Sequence, residues 1–227
     1  MLTHSPSPQP ARIVVHPADV DARLQELDPA LTQELMLEAN QRGFEARLEA
    51  TLAHAPTAAG TLHWHAFVPA LRLALKVQDW IIKDHKNCPL IISADRSIAI
   101  VVMTGNSETG KEFGNPTNQA DKGAVLDEAV QKNVQYQLFE NAALNRMQKG
   151  EGGTQLWVLL YHVDAAGKDA REIRSELSLP SSFHKKKIIG WAERIILRSI
   201  PTNPSTRIAP SLPNKPIEVV VERKTGS

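Results

Sequence analysis

Dense apolar runs alternate with long polar intervals along the chain, and the sharpest contrast lies near its middle. The run Ile98–Met103 is apolar and mostly β-branched, which predicts a buried strand. A polar loop follows over residues 104–121 and carries three glycines, a proline and three asparagines. Loops this long are uncommon inside compact domains, and those that occur are often functional. The loop is therefore the first candidate for a functional segment.

The residues around this loop predict a hairpin before it and a crossover after it. Apolar side chains recur at every fourth position over about residues 122–147, which predicts a helix. The run Gln155–Val163 is almost wholly apolar, as in a central strand that is covered on both faces. Strand, helix and strand in this order form a crossover unit, so the two strands should be parallel. The run Pro89–Ser93 and a short turn at Asp95 predict a hairpin with the strand that starts at Ile98.

The N-terminal part of the chain is predicted to be mainly helical. The first residues are rich in proline and serine and predict a loose arm, whose apolar patch Ile13–Val15 is compatible with an edge strand. Asp28 before a proline predicts the start of a helical section, with a break at Gly43. Pro69 suits the first turn of a helix better than its middle, so a further helix is predicted to begin there.

The C-terminal part predicts two more helices and a strand. The segment Asp169–Leu179 has mixed charge and is followed by a proline, and a second helix is predicted from about residue 181 to Ile200. Residues 201–216 form a proline-punctuated linker, and Ile217–Val221 predicts a last strand at a sheet edge.

These elements predict an α+β fold of mixed α/β character. It should contain a small mixed sheet with a β-hairpin and one strand–helix–strand crossover, and a helical N-terminal portion. The predicted segments are a flexible arm (1–17), a helical portion (18–82), an α/β core (83–200) and a proline-rich linker with the C-terminal edge strand (201–227). Together they are expected to form one domain.

Composition narrows the classes of partner. Acidic and basic residues nearly cancel, giving a formal net charge of +1, so any basic patch must be local. No apolar run is long enough to span a bilayer, and the first residues lack the basic start and apolar core of a secretory signal. The single cysteine, Cys88, excludes an internal disulfide and a multi-cysteine zinc site. We expect a cytoplasmic protein with no cofactor and no membrane partner.

The polar loop contains a near-match to a phosphate-binding P-loop, with Gly105 and Gly110 at the right spacing before Lys111. Glu112 stands where the mechanism needs a hydroxyl for magnesium, and Pro116 interrupts the helix that should follow at once. The loop is therefore not expected to bind a nucleoside triphosphate. Two interpretations remain open, a flexible connector and a loop that binds another anionic or polar group through its backbone amides.

Two histidine-containing segments could contribute to a metal site. If the segment around Trp64 is extended, His63 and His65 face the same way, and Asp84 and His85 could add ligands. If the segment is helical, the two histidines point apart. Histidines beside tryptophan are more often hydrogen-bonded packing residues, so no metal is assigned.

The carboxyl ends of the two predicted parallel strands should meet at one sheet edge, where ligands of such sheets bind. This edge would bring together Lys111 of the loop with His162 and Asp164, which are two residues apart and can project to the same side. A histidine beside an aspartate and a lysine is a candidate acid/base or anion site. The alternative is that Asp164 caps a turn and His162 is an ordinary strand-end residue.

One side of the predicted 181–200 helix is basic and includes an aromatic residue. Its members are Lys187, Trp191, Arg194 and Arg198 at three- and four-residue spacing, with Lys185 and Lys186 beside the start. Such a face suits a phosphate backbone or a stacked base, although a solvated charged face gives the same pattern.

The interpretation that follows is a cytoplasmic nucleic-acid-associated or assembly protein without catalytic activity, which binds nucleic acid or a protein partner through the basic helix face. It is favoured because no complete catalytic motif is present in the sequence. The alternative is an enzyme that acts on a phosphorylated or acidic substrate at the sheet edge through His162, Asp164 and Lys111.

Overall fold

The structure is a computed structural model that describes residues 10–121, 126–133, 153–166 and 169–202. The described helices are α1 (Pro17–Leu27), α2 (Gln33–Leu48), α3 (Ala58–Lys76) and α4 (residues 126–133). The described strands are β1 (Arg12–Val14), β2 (Ile81–His85), β3 (Cys88–Ile92), β4 (Ile98–Thr104), β5 (Gln155–Ala166), β6 (Asp169–His184), β7 (Lys187–Ile196) and β8 (Ile200–Pro201). The predicted helix beyond residue 133, the proline-rich linker and the strand Ile217–Val221 lie outside the described residues.

The described strands form one mixed sheet in the order β1-β7-β6-β5-β4-β3-β2, with β8 paired to β6. The predicted hairpin is confirmed, because β3 and β4 are antiparallel. The predicted parallel pair is confirmed as well, since β4 and β5 run side by side from Ile98 opposite Gln155 to Thr104 opposite Tyr161. The α+β fold class is confirmed, but the sheet is larger than the sequence predicts.

One face of the sheet, the helical face, is covered by α1, α2 and α3. Leu24, Met36 and Leu71 of these helices pack in the same apolar cluster as Leu159 of β5 and Leu177 of β6. The helix starts follow local rules, since Pro17 occupies the first turn of α1 and the side chain of the α2 N-cap residue accepts a hydrogen bond from a backbone amide. This face therefore has an ordinary apolar core.

Three predicted boundaries in the helical portion are wrong. Asp28 does not start α2; its side chain accepts a hydrogen bond from the Ala30 amide in the turn before α2, and Thr32 caps the helix. Gly43 does not break α2, because α2 continues to Leu48. Pro69 lies inside α3, whose buried side chains form a continuous stripe on both sides of it. Tertiary packing of that stripe outweighs the hydrogen bond that the proline removes.

The largest correction concerns residues 169–196, where the sequence predicts helices and the structure has the long hairpin of β6 and β7. Ile173 and Leu177 fit helical spacing, but together with Leu179 they also alternate with polar residues, as in a strand. The polar positions between them are half-buried at Arg174 and buried at Glu176 and Ser178, so the two faces of the strand are covered by different chemistry. The predicted basic helix face consequently does not exist.

The opposite face of the sheet, the loop face, is covered by α4 and by the segment that follows β4. Val130 of α4 packs in one apolar cluster with Val158 and Leu160 of β5 and Ile188 of β7. The β6–β7 ladder shifts register between Leu179 and Phe183, and Phe183 packs against the apolar cluster of this face. Among the described residues, no helix combines the length and the apolar character that crossing a bilayer requires.

Candidate functional site

The segment Gly105–Asn118 after β4 is a compact loop whose ends lie side by side, and we call it the Ω-loop. Gly105 and Asn118 form an isolated antiparallel bridge, and the Asn106 amide donates to the Thr117 carbonyl at 3.0 Å. The Asn106 side chain accepts from the amides of Glu108 and Thr117 at 3.3 and 3.2 Å. The segment is therefore held by its own hydrogen bonds and is not a flexible connector.

A buried ion pair lies beneath the Ω-loop. Arg194 Nη2 is 2.6 Å from Glu176 Oε2, and the two side chains are 3% and 0% exposed. The Glu176 carboxylate also accepts from the Ser178 hydroxyl and from the Gly110 amide of the loop, each at 2.9 Å. Because each buried charge has several partners, the pair is retained where an unpaired charge would be strongly destabilising.

Two arginines hold the Ω-loop through its main-chain carbonyl groups. Arg174 extends from β6 and Arg194 from β7, and both guanidinium groups donate hydrogen bonds into the loop. The accepting carbonyls are those of Ser107 and Thr109 for Arg174, and those of Lys111, Glu112 and Gly114 for Arg194, at distances from 2.8 to 3.4 Å. Charge-assisted bonds of this kind are stronger than neutral ones, so they fix the path of the loop.

The far end of the Ω-loop is joined to the β6–β7 hairpin. The Asn118 side chain accepts from the Ile188 amide at 2.8 Å and donates to the Lys186 carbonyl at 3.0 Å. The Trp191 indole donates to the Pro116 carbonyl at 2.9 Å. The loop is thus held at its ends and along its length.

The tip of the Ω-loop, Lys111–Phe113, faces solvent. Phe113 is 91% exposed, whereas the loop residues on either side of the tip at Thr109 and Gly114 are buried. Lys111 pairs with Glu108 on the same surface at 3.0 Å. Phe113 is thus a large aromatic side chain that is exposed to solvent on a backbone fixed from below.

The geometry also bears on the P-loop match. The Gly110 amide, which would face a phosphate in a P-loop, donates to the Glu176 carboxylate, and the described residues 111–121 contain no helix. Gly110 has φ +72°, and an added Cβ would lie 2.7 Å from the Arg174 Cβ, so this glycine is required for the close approach of loop and sheet. The amides at the loop base are likewise used within the protein. Backbone anion binding at the base is therefore disfavoured.

The candidate catalytic residues do lie near one another at the carboxyl ends of β4 and β5. His162 Nδ1 donates to the Gly105 carbonyl at 3.2 Å, which leaves Nε2 as a proton acceptor in this tautomer. Partial burial lowers the pKa of His162, and the charges of Arg174 and Lys111 act in the same direction. Asp164, however, accepts a hydrogen bond from Arg174 at 3.2 Å, so it belongs to the group that holds the loop.

The candidate nucleic-acid-binding residues are separated by the strand geometry. Trp191 and Arg194 are buried under the Ω-loop. Lys187 donates to the carbonyls of Asn118 and Gln119. Lys185 and Lys186 are exposed at the hairpin turn, whereas Arg198 lies beyond the other end of β7 and pairs with Glu34 at 3.0 Å. The residues predicted to share one helix face thus lie in four places: the core under the Ω-loop, the contact with the end of that loop, the β6–β7 turn, and the segment after β7.

The histidine segments do not form a metal site in the described residues, which contain no group of three or more His, Cys, Asp or Glu side chains that could hold a metal ion. The segment is helical, so His63 is buried and His65 is exposed. His63 Nε2 donates to Asn40 Oδ1 at 2.8 Å, and the His63 ring stacks on Tyr161 with ring centroids 4.3 Å apart. Asp84 pairs with Arg72 at 2.6 Å.

Sequence reasoning missed the residues that matter most here, Phe113, Arg174 and Glu176. Phe113 is the one aromatic residue in a loop otherwise composed of Gly, Asn, Thr, Ser, Pro and charged residues, and that contrast could have identified it. The alternation of Arg174 and Glu176 with Ile173 and Leu177 could have identified β6.

Comparison of the chain with protein-family models, with curated proteins and with solved structures finds no match.

Proposed function

We propose that this protein is a non-catalytic assembly protein that binds a protein partner through the tip of the Ω-loop. The observation that carries the proposal is the 91% exposure of Phe113 on a loop fixed by the buried Glu176–Arg194 pair. Because the tip is ordered before binding, little conformational entropy is lost when Phe113 enters a partner's apolar pocket. Aromatic residues in such positions commonly dominate binding energy.

The charge of the tip favours protein over nucleic acid as the partner. Glu108 and Lys111 pair with each other, and Glu112 adds a further negative charge. A phosphate backbone would be repelled by this surface, whereas a pocket with a basic rim would be complementary to it. Nucleic-acid association has separate support in the exposed Lys185 and Lys186, but Asp121 lies 4.0 Å from the Lys186 ammonium and reduces that positive field.

An enzymatic role has narrower support. It rests on the Nε2 atom of His162 and the proximity of Lys111, since Asp164 and Arg174 are engaged with each other. The matched test is His162→Gln, which removes the proton acceptor. A hydrolytic or phosphoryl-transfer activity that is present in wild type and lost in His162→Gln would favour the enzymatic hypothesis over the assembly proposal.

Site-specific photo-crosslinking tests the assembly proposal directly. A benzophenone analogue of phenylalanine is placed at position 113, and in a control protein at the exposed residue Leu52. We expect a discrete crosslinked protein from position 113 in cells, absent from position 52, and suppressed by excess wild-type protein but not by excess Phe113→Ala. Equal crosslinking from both positions would contradict the proposal, and a product that disappears after nuclease treatment would identify nucleic acid as the partner.

A further inference from the structure

A groove on the loop face lies between α4 and the β2–β3 hairpin, away from the Ω-loop tip. It has a volume of about 280 Å³. Cross-strand register places Lys83 opposite Leu90, and Ile92 opposite both Ile81 and Ala99, so these residues share the loop face. The apolar lining consists of Leu90, Ile92, Ala99 and Leu156 from the sheet, and Leu126 and Ala129 from α4.

The rim of the groove is polar and carries excess positive charge. Lys83 and His85 stand on the β2 side, and Lys132 and Glu128 stand on the α4 side. The ion pairs among the described residues do not include Lys83 or Lys132, and both lysines are exposed. Two lysines that flank an apolar floor from opposite sides form an attractive field for a negatively charged group at its mouth.

We propose that this groove binds a single-chain amphipathic anion, a free fatty acid of medium length. The alkyl chain lies along Leu90, Ile92 and Ala99, and the carboxylate lies between Lys83 and Lys132. Small-molecule sites begin at volumes of about 300 Å³, so the groove suits one short chain and is too small for a two-chain lipid. A wholly polar ligand would leave the apolar floor without a partner, and a cationic amphiphile would be repelled at the rim.

Titration calorimetry of the full chain with hexanoate, octanoate and decanoate, each below its micelle concentration, tests the proposal. We expect saturable one-site binding whose affinity rises about fourfold for each added methylene until the groove is filled. Reversing both rim charges, with Lys83→Glu and Lys132→Glu, should lower decanoate affinity by about tenfold or more. The matched control, Lys185→Glu with Lys186→Glu, makes the same change in net charge at the β6–β7 turn, whose lysines do not line the groove, and should leave the affinity unchanged.

A space-filling variant provides an independent readout. Ala129→Phe should occupy the groove and abolish decanoate binding, while circular dichroism verifies that the protein is folded. Decyltrimethylammonium should bind at least about tenfold more weakly than decanoate, because its head group is repelled by the two lysines. The proposal would be overturned by non-saturable decanoate binding, or by equal affinities for decanoate and decyltrimethylammonium. An equal loss of decanoate affinity in the rim variant and its control would also overturn it. So would a protein that binds anionic lipid vesicles but not free decanoate.

Discussion

The two faces of the sheet are covered by different means. On the helical face, α1–α3 cover an apolar layer that includes Leu159, Leu177 and Ile195. On the loop face, the Ω-loop covers the same central strands where they present the buried Glu176–Arg194 pair. The first cover depends on non-directional apolar burial, and the second depends on directional hydrogen bonds to the loop backbone.

This difference explains which face can present a recognition element. Apolar packing stabilises a fold without specifying the position of any single exposed atom, whereas several charge-assisted hydrogen bonds define the path of a loop within narrow limits. The helical face therefore stabilises the domain through apolar packing, and the loop face both stabilises it through the buried pair and fixes the position of Phe113. Four experiments separate these two roles.

Removal of the buried carboxylate should have the largest effect. Glu176→Ala leaves Arg194 buried without its counter-charge, so the free energy of unfolding should fall by about 3–5 kcal/mol in urea denaturation. The control is Glu34→Ala, which breaks the exposed pair with Arg198 and should cost less than about 1 kcal/mol. Equal losses in the two variants would contradict the central role of the buried pair.

A pH series should reveal the buried histidine of the helical face. Burial and the nearby Arg47 lower the pKa of His63 from 6.5 to about 3, so the unfolded chain binds a proton that the folded chain does not. The contribution of neutral His63 to the free energy of unfolding is fully present above the pKa of His63 in the unfolded chain. It is lost as the pH falls toward the pKa of His63 in the folded protein. Between pH 7 and pH 5 this loss should be about 2 kcal/mol.

The non-titrating variant His63→Phe provides the control for that series. Its free energy of unfolding in urea should change less with pH than that of wild type over the same interval. All titrating groups other than residue 63 are shared by the two proteins and contribute equally to both. Identical pH dependences would show that folding does not lower the pKa of His63.

Gly43→Ala should be destabilising although it replaces a glycine within a helix. Such a replacement ordinarily gains up to about 1 kcal/mol, but a Cβ at this position would lie 2.8 Å from His63 Nε2 and 2.9 Å from the His63 carbonyl oxygen. The resulting separation of α2 from α3 should cost about 1–3 kcal/mol. A raised melting temperature would indicate that the two helices can move apart without loss.

Phe113→Ala should have the smallest effect on folding and the largest on function. Because the side chain is 91% exposed, the free energy of unfolding should change by less than about 0.5 kcal/mol. Leu159→Ala, on the helical face, should cost about 2–5 kcal/mol. Thermal unfolding of both variants, together with crosslinking competition, tests whether Phe113 contributes to recognition without contributing to stability.

The sequence was informative wherever one principle dominated a segment. The β-branched run at Ile98 and the apolar run Gln155–Val163 each predict a buried strand, and both strands are present and parallel. The turn at Asp95 is also as predicted, with its carboxylate accepting bonds from the Ser97 amide and from two serine hydroxyls. In these segments local chemistry and tertiary environment require the same structure.

Prediction failed where burial involved charge. Helical spacing predicts Arg194 on a basic helix face, with Ile195 and Ile196 on the opposite side, and an arginine is rarely buried unless it is paired. The structure places Arg194 inside because Glu176, far away in sequence, neutralises it. No local pattern contains that pairing. The β-branched content of β7 is nevertheless a local signal for a strand, whereas Pro180 argues against a central strand and is accommodated at a register shift in β6.

The use of carbonyl oxygens to hold the Ω-loop has a consequence for how this protein can change over generations. Every residue has a carbonyl group, so the bonds from Arg174, Trp191 and Arg194 do not depend on which side chains the loop carries. Substitutions at Glu112, Phe113 or Asn115 can accumulate without unfolding the protein. The tip of the loop is thus a segment whose side chains can be exchanged while the two arginines and Glu176 are kept, so a library of tip sequences can be installed without altering the fold.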